Sequence, residues 1–421
     1  MNISTFNAFK SRNYRLFFFG QSFSLIGTWM QKTAVSWVIY ALTHSEFMLG
    51  VTMFASLFPS FILSFLGGVA ADRYDRFKLL LITQIASMIQ ALLLTLLVYF
   101  KHYEVWQIIA LSVVLGIINA FDVPARQSLV YEMIDDKEHL PNALALNSSM
   151  VNLSRLIGPG IAGLLIEKLG DDVCFGLNTL SFIAVIGSLL MMRLPKFEQK
   201  PHSKNVVADL KEGFAYIKNT PSIGFILLML CLMSVLVLPF ATLIPVYARD
   251  IFKGTASTFG VIDSVIGLGA FAGAIFLASL KPNSNLKLIL AINTVVLGAG
   301  LALFSHEEVY PIALVFAMVS GFGMMSQVTI SNTVIQTTVS PDMRGRVISF
   351  YAMVLFGLQP IGGLLIGTVS QYINAQNTLL AEGIAALLIG GLHLYFLRKE
   401  KQKNNIQQLA PPVKLQEAVN A

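Results

Sequence analysis

The sequence predicts an all-α membrane protein of twelve spans, arranged as two six-helix halves. Three observations predict it. The 421 residues are 55% hydrophobic and only 12% charged, with a mean hydropathy of +0.69, whereas a soluble domain carries about 25% charged residues. Apolar runs of roughly 20 residues, the length that crosses a bilayer as a helix, recur twelve times. Basic residues also gather on one side of the alternating loops.

The runs fall at 14–42, 48–70, 79–100, 105–127, 141–167, 173–193, 222–248, 258–280, 286–305, 310–334, 347–371 and 378–397. Lys10, Arg12 and Arg15 precede the first, as in a signal peptide. That run is too long for a signal core and lacks a convincing small-residue cleavage site, so it is read as a helix. The second and third enclose a densely charged turn, from Gly67 to Lys78, that must lie in water. Between the sixth and seventh lies the longest polar segment, 194–221. There Val206, Leu210, Phe214 and Ile217 recur at helical spacing with Asp209, Lys211, Glu212 and Lys218 among them. This predicts a short amphipathic helix at the membrane surface, a tether between halves with regulatory docking as the alternative. The expected organisation is therefore 1–193 and 222–400 as six-helix bundles, 194–221 as linker and 401–421 as a disordered cytoplasmic tail.

Orientation follows from charge. With the N-terminus inside, 23 of the 29 basic residues fall on the inner side and four, Lys101, Lys168, Arg249 and Lys253, on the outer. Cytoplasmic loops carry that excess, so both termini are expected in the cytoplasm. The same sorting explains a pI near 9.2 without nucleic acid. Cys174 and Cys231 lie in different spans and offer neither disulfide nor metal spacing. No G-x-x-x-x-G-K-[ST] loop is present, which argues against ATP-driven transport by this chain. Residues 158–163 match G-x-G-x-x-G literally but follow no strand. The sequons at Asn147 and Asn152 fall within the fifth span and are read as packing or cavity residues. No enzyme, cofactor or metal is expected.

The two halves echo each other. Pro159-Gly160-Ile161-Ala162-Gly163-Leu164-Leu165-Ile166 aligns with Gln359-Pro360-Ile361-Gly362-Gly363-Leu364-Leu365-Ile366 at an offset of 200, and Leu49-Gly50-Val51 with Phe259-Gly260-Val261. Such repeats with Pro- or Gly-interrupted helices are a signature of secondary transporters. Gly158, Pro159, Pro239, Pro245 and Pro360 are the expected points of bending, because proline removes a ladder hydrogen bond.

Charges inside the membrane cost on the order of 3 kcal/mol or more and tend to be functional. Arg155 lies near the middle of the fifth span, Lys32 in the first, Asp122 in the fourth and Asp263 in the eighth. Asp122 is the first choice for a titrating carboxylate, with Arg155 as the cation tuning it and Asp263 as a further proton-coupling candidate. A structural ion pair is the alternative, since Asp122 and Arg126 share a helix face. Lys32 either snorkels outward or faces the cavity.

The turn Gly68-x-x-x-Asp72-Arg73-x-Asp75-Arg76-x-Lys78 resembles the signature between helices 2 and 3 of the major facilitator superfamily. Gly27-Thr28-Trp29-Met30-Gln31 with Trp37-Val38-Ile39-Tyr40, and Pro124-Ala125-Arg126-Gln127 followed by Asn142-Ala143-Leu144-Ala145-Leu146-Asn147 and Gly158-Pro159, resemble its enterobactin-exporter and macrolide-efflux branch. The resemblance covers all but the tail after about Glu400. It implies a cytoplasmic gate of Gly68, Asp72, Arg73, Arg76, Arg126 and Ser340, in which Asp72 packs at a helix start after Ser340-Pro341 and pairs with Arg126. The residues suit this, since Ser340 as cap and Pro341 at the first helical position would make a helix start whose positive end favours an anion. Asp75 departs from the pattern, since many members have Gly there, and the matching loop at Lys281 has no Asp-Arg counterpart. In this fold helices 1, 4, 7 and 10 line the cavity. Trp29, Gln31, Lys32, Phe240, Phe322, Met325, Gln327 and Tyr351 are the cavity candidates, soft and aromatic walls suiting amphipathic ligands. Gly158-Pro159 resembles a motif of exporters.

The expected protein is a monomeric, multi-pass secondary transporter of the bacterial inner membrane. It would export an amphipathic small molecule, siderophore or drug-like, in exchange for protons and with membrane lipids as its surroundings. A lipid or lysophospholipid flippase, an importer, or a non-transporting sensor or scaffold are the alternatives.

Overall fold

Hydrocarbon offers the backbone no water, so each apolar run must close its own hydrogen bonds as a helix. The structure is a computed structural model describing residues 3–101, 103–194, 206–281 and 284–409, and among these residues it contains no strand. Most of the expected linker before Val206, and the tail from Ala410 onward, lie outside the described residues.

The first half comprises α1 (Arg12–Thr43), α2 (Glu46–Arg73), α3 (Arg76–Tyr99), α4 (Val105–Met133), α5 (Leu140–Leu169) and α6 (Asp171–Leu190). The amphipathic linker helix is α7 (Val206–Asn219). Beyond it come α8 (Pro221–Leu236), the one-turn α9 (Ile244–Val246), α10 (Ala256–Ala278), α11 (Leu286–Ser305), α12 (Tyr310–Thr338), α13 (Arg344–Ala352), α14 (Leu358–Ile373) and α15 (Ala375–Leu409). Among the described residues, eleven helical segments are long and apolar enough to cross a membrane. The 32-residue α1 is not among them, because Gln21, Gln31, Lys32 and several hydroxyls dilute it. Those polar groups turn inward: Gln21, Ser24, Gln31 and Thr33 are buried.

Local chemistry sets the ends. The Asp75 carboxylate accepts from the Phe77 N–H (3.0 Å) and Lys78 N–H (3.4 Å) and so caps α3, which gives the departure from the resembled pattern a physical role. Gly170, at φ +105°, turns the chain between α5 and α6 where a side chain would be strained. Pro239 and Pro245 fall where the seventh span breaks from α8 into a 3₁₀ segment (Leu238–Leu243), α9 and a π-turn (Tyr247–Ile251). A second π-turn (Met353–Gly357) separates α13 from α14, just before Pro360. Pro159, by contrast, sits inside an unbroken α5.

One expected helix start is corrected. Ser340 does not cap a helix beginning at Pro341. Residues 341–343 form a turn, closed by the Met343 N–H on the Ser340 carbonyl (3.1 Å), and α13 begins at Arg344. Proline at the second position of such a turn is as favourable as at a helix start, and the turn prevails.

Within the first half α1 packs on α5 and α6, α2 on α4, and α3 on α4 and α6. In the second, α10 packs on α12, α11 on α12 and α15, and α14 on α8 and α15. Two crossings, α5 on α10 and α2 on α14, join the halves. The buried core around Tyr40, Phe175, Phe240, Tyr247 and Phe304 runs across that seam. Large apolar side chains such as Phe23, Ile82, Trp106 and Leu388 stay exposed on the outside, a belt that suits lipid and would aggregate in water.

Candidate functional site

The helices place two ends in opposition. The basic end carries Arg73, Arg76, Lys78, Arg344 and Arg346; the far end carries His44, Gly170, Asp250 and Asn374. The contacts joining the halves run from the middle of the molecule to the far end. A Cβ on Gly260 would stand 2.4 Å from the Pro159 carbonyl oxygen and 3.0 Å from the Gly163 Cα. One on Gly50 would stand 2.6 Å from the Gly363 oxygen and 3.3 Å from the Gly367 Cα. Small residues let the backbones approach this closely. The Tyr40 hydroxyl donates to the Asp250 carboxylate, the Thr255 hydroxyl donates to Glu167 (2.9 Å), and the Trp37 and Phe259 rings stack 6.3 Å apart.

At the basic end the named ion pairs stay within one side. Arg76 pairs with Glu132 (2.6 Å) and reaches Asp72 at 4.0 Å, and Arg126 pairs with Asp122 (2.5 Å). The Asp72 side chain is 55% exposed, and a Cβ on Gly68 would meet nothing within 4 Å. The expected contact between Asp72 and Arg126 is therefore not made in this conformation. Arg126 is taken by Asp122, and Asp72 and Arg73 are exposed.

Beside the α5–α10 crossing, charges from both halves converge. The Trp29 ring lies 4.8 Å from Lys32 Nζ and 5.7 Å from Arg155 Cζ. Cations over an indole face are attracted by its quadrupole. Asp263, from the second half, is in electrostatic reach of both Lys32 and Arg155, and Arg155 Nη2 also meets Met324 Sδ at 3.5 Å. Lys32 is exposed although protein surrounds it, as expected of a side chain lining an internal, water-accessible space. Glycines make the convergence possible. A Cβ on Gly158 would come within 2.6 Å of the Trp29 Cβ, and one on Gly267 within 3.2 Å of the Arg155 carbonyl oxygen. Asp263 lies one turn before Gly267, so the same crossing carries it to Arg155.

Several expected assignments change. Arg155 does not tune Asp122, whose carboxylate is filled by Arg126, Thr83 (3.0 Å) and Gln84 (2.6 Å); its partners sit on α3 and its own helix. Gln31 does not line a cavity. It accepts from Asn178 (2.7 Å) and donates to Gln90 (3.0 Å), tying α1 to α6 and α3, because a buried amide needs both ends satisfied. Phe240 is buried in the core, buried Gln327 donates to Thr294, and the Tyr351 hydroxyl donates to the Val328 carbonyl (2.7 Å). Phe322 and Met325 are half-buried at the α10–α12 contact, where Phe322 meets the Phe276 ring at 5.5 Å. Two outer grooves of 390 and 340 Å³ along α1 and α6 share Phe23 and Ala184 but no residue of the charged cluster.

Sequence reasoning passed over Asp250 and Glu167, which lie at span ends and carry no pattern of their own, and gave Tyr40 no role beyond its place in the resembled Trp37–Tyr40 stretch. It also passed over Glu382, which lies inside the run 378–397; the cost of an intramembrane carboxylate could have flagged it as it flags Asp263.

A sequence profile of the family described as transmembrane secretion effector matches residues 3–421. The chain belongs to this family, within the major facilitator superfamily. Among its curated relatives, the staphyloferrin A transporter of Staphylococcus aureus is 26% identical over 394 residues, covering 92% of this chain and 97% of that one. The macrolide efflux protein A of Streptococcus pyogenes is 21% identical over 388 residues, covering 90% and 96%. The enterobactin exporter EntS of Shigella flexneri is 25% identical over 387, covering 91% of each. A solved structure of a POT family transporter in complex with 5-aminolevulinic acid superposes with a TM-score of 0.75 at 14% identity, covering 92% of this chain and 96% of that one, and shows the shared fold. This major facilitator protein is a multi-pass transporter of the bacterial inner membrane and not an enzyme.

Proposed function

We propose that this transporter exports an amphipathic, oxygen-rich small molecule, siderophore-like or macrolide-like, in exchange for protons. The observation that carries the reading is that Lys32 and Arg155 lie over Trp29 with Asp263 of the other half in electrostatic reach of both. The indole offers an apolar face to the cargo, the two cations offer donors to its carbonyl or acid oxygens, and the Asp263 carboxylate accepts from its hydroxyls. A proton on Asp263 removes its charge and weakens that acceptor. Proton and cargo then compete for one group, which is the condition for exchange. The names of the relatives, which refer to siderophores and macrolides, support a cargo of this kind.

On this reading the basic end is cytoplasmic, as its charge favours, and the described conformation is open inward. Residues 1–193 and 222–400 rock about the α5–α10 and α2–α14 crossings. Closing the basic end brings Gly68, Asp72, Arg73, Arg76 and Arg126 to the turn after Ser340. The protein works as a monomer among lipids.

Efflux from proteoliposomes with an imposed pH gradient tests the exchange. Asp263→Asn abolishes acceleration by the gradient, while Asp122→Asn keeps it in the folded fraction. Gradient-driven efflux that survives in Asp263→Asn overturns the assignment.

A further inference from the structure

Glu382 takes no part in the cluster around Trp29. It sits on α15 about two turns after Ala375, toward the far end. It is 3% exposed, and neither carboxylate oxygen has a hydrogen-bond partner among the described residues. An ionised carboxylate deprived of both water and partners is far less stable than the neutral acid.

The groups around it supply no charge to offset. α15 packs against α11, α14, α8 and the 3₁₀ segment Leu238–Leu243. Beside Glu382 the approach is backbone: a Cβ on Gly383 would lie 2.7 Å from the Ala302 nitrogen and 2.9 Å from the Gly298 oxygen. The titratable residues on these elements are Cys231 of α8, Lys287 in the first turn of α11 and Tyr372 of α14; the 3₁₀ segment has none, and α15 itself adds His393, Tyr395, Arg398, Lys399, Glu400, Lys401 and Lys403, all toward the basic end. The phenol of Tyr247, on the far-end π-turn, is in electrostatic reach of Glu382. Its hydroxyl donates to the Ser305 carbonyl (2.7 Å), and the Ser305 hydroxyl shares a hydrogen bond with His306 Nδ1 (3.0 Å). His306 is exposed at the far end.

We propose that Glu382 is a proton-binding site separate from Asp263, occupied while the far end is shut and opened to water along the Tyr247–Ser305–His306 line when the far end opens. The shut form then binds one proton more than the open form, so acidity favours closure and alkalinity favours opening. The site does not depend on proton exchange at Asp263.

Dicyclohexylcarbodiimide, which modifies buried protonated carboxyl groups, tests this on the full chain in lipid nanodiscs, with adducts mapped by mass spectrometry. The expected result is an adduct on Glu382 in the native protein and in Asp263→Asn alike, falling several-fold at alkaline pH. A cysteine at Val38, buried behind the far-end contacts, in a background lacking Cys174 and Cys231, reports opening through maleimide labelling. Its labelling, taken relative to the same cysteine in the unfolded chain so that thiol ionisation cancels, rises with pH in the native background and loses that rise in Glu382→Gln and Glu382→Leu. An unmodified Glu382 in the folded protein, or a pH response unchanged by both substitutions, overturns the proposal.

Discussion

Gly163 of α5 lies against Gly260 of α10, their backbones so close that a Cβ on Gly260 would stand 3.0 Å from the Gly163 Cα. Gly50 of α2 meets Gly367 of α14 in the same way, a Cβ on Gly367 standing 3.0 Å from the Gly50 Cα, with the Gly363 oxygen beside it. Gly163 echoes Gly363 in the internal repeat, and Gly50 echoes Gly260. The halves thus touch beside the repeated residues, but on α14 it is Gly367, one turn beyond Gly363, that takes the place Gly163 has on α5.

Enlarging Gly260 is therefore expected to part the far end. Overpacking costs about 1–3 kcal/mol, which is roughly a 5- to 150-fold shift between conformations. Gly260→Leu should raise maleimide labelling of a cysteine at Val38 by about that factor, while Gly187→Leu, where a Cβ meets nothing within 4 Å, leaves it unchanged.

The Tyr40 hydroxyl on Asp250 is a second element of the same seal. Hydrogen bonds to charged groups contribute about 1.5–3 kcal/mol. Tyr40→Phe should populate the far-end-open form, read as a longer distance between spin labels on Thr43 and Lys253; an unchanged distance distribution would show that the bond adds nothing to closure.

Asp122 is expected to matter for stability. Asp122→Ala leaves Arg126 and Gln84 without their buried acceptor, a loss of roughly 3 kcal/mol, measured as a lower unfolding midpoint in detergent. The proton-to-cargo ratio of the protein that remains folded should not move.

The linker helix α7 is docked rather than free. Glu212 pairs with Arg346 (3.0 Å), Phe214 packs on Phe350 at 6.3 Å, and the Ser340 N–H donates to the Tyr216 hydroxyl (3.4 Å). Replacing Glu212, Phe214 and Tyr216 together by alanine should release it, seen as faster tryptic cleavage at Lys211 and Lys218 with transport-domain unfolding unchanged.

Individual residues show where sequence reasoning reached and where it stopped. The span limits agree with the helices to within a few residues for most runs, because a bilayer demands a length and a composition that both stand in the chain. Pro239 and Pro245 mark a real interruption for the same local reason, whereas Pro159 does not interrupt α5. Gln31 and Arg155 were misassigned because polarity inside a span says that a partner exists without saying which. Gln31 found two amides on other helices, and Arg155 found the Trp29 ring and the Met324 sulfur, with Asp263 in electrostatic reach, instead of Asp122.

Covalent order and local periodicity thus carried the helices, their charge asymmetry and the internal repeat. What α1, α5 and α10 bring together could come only from packing. Asp263 is more than 100 residues along the chain from Arg155, and the glycine crossings that join them act through backbone distance, which no spacing within one helix expresses.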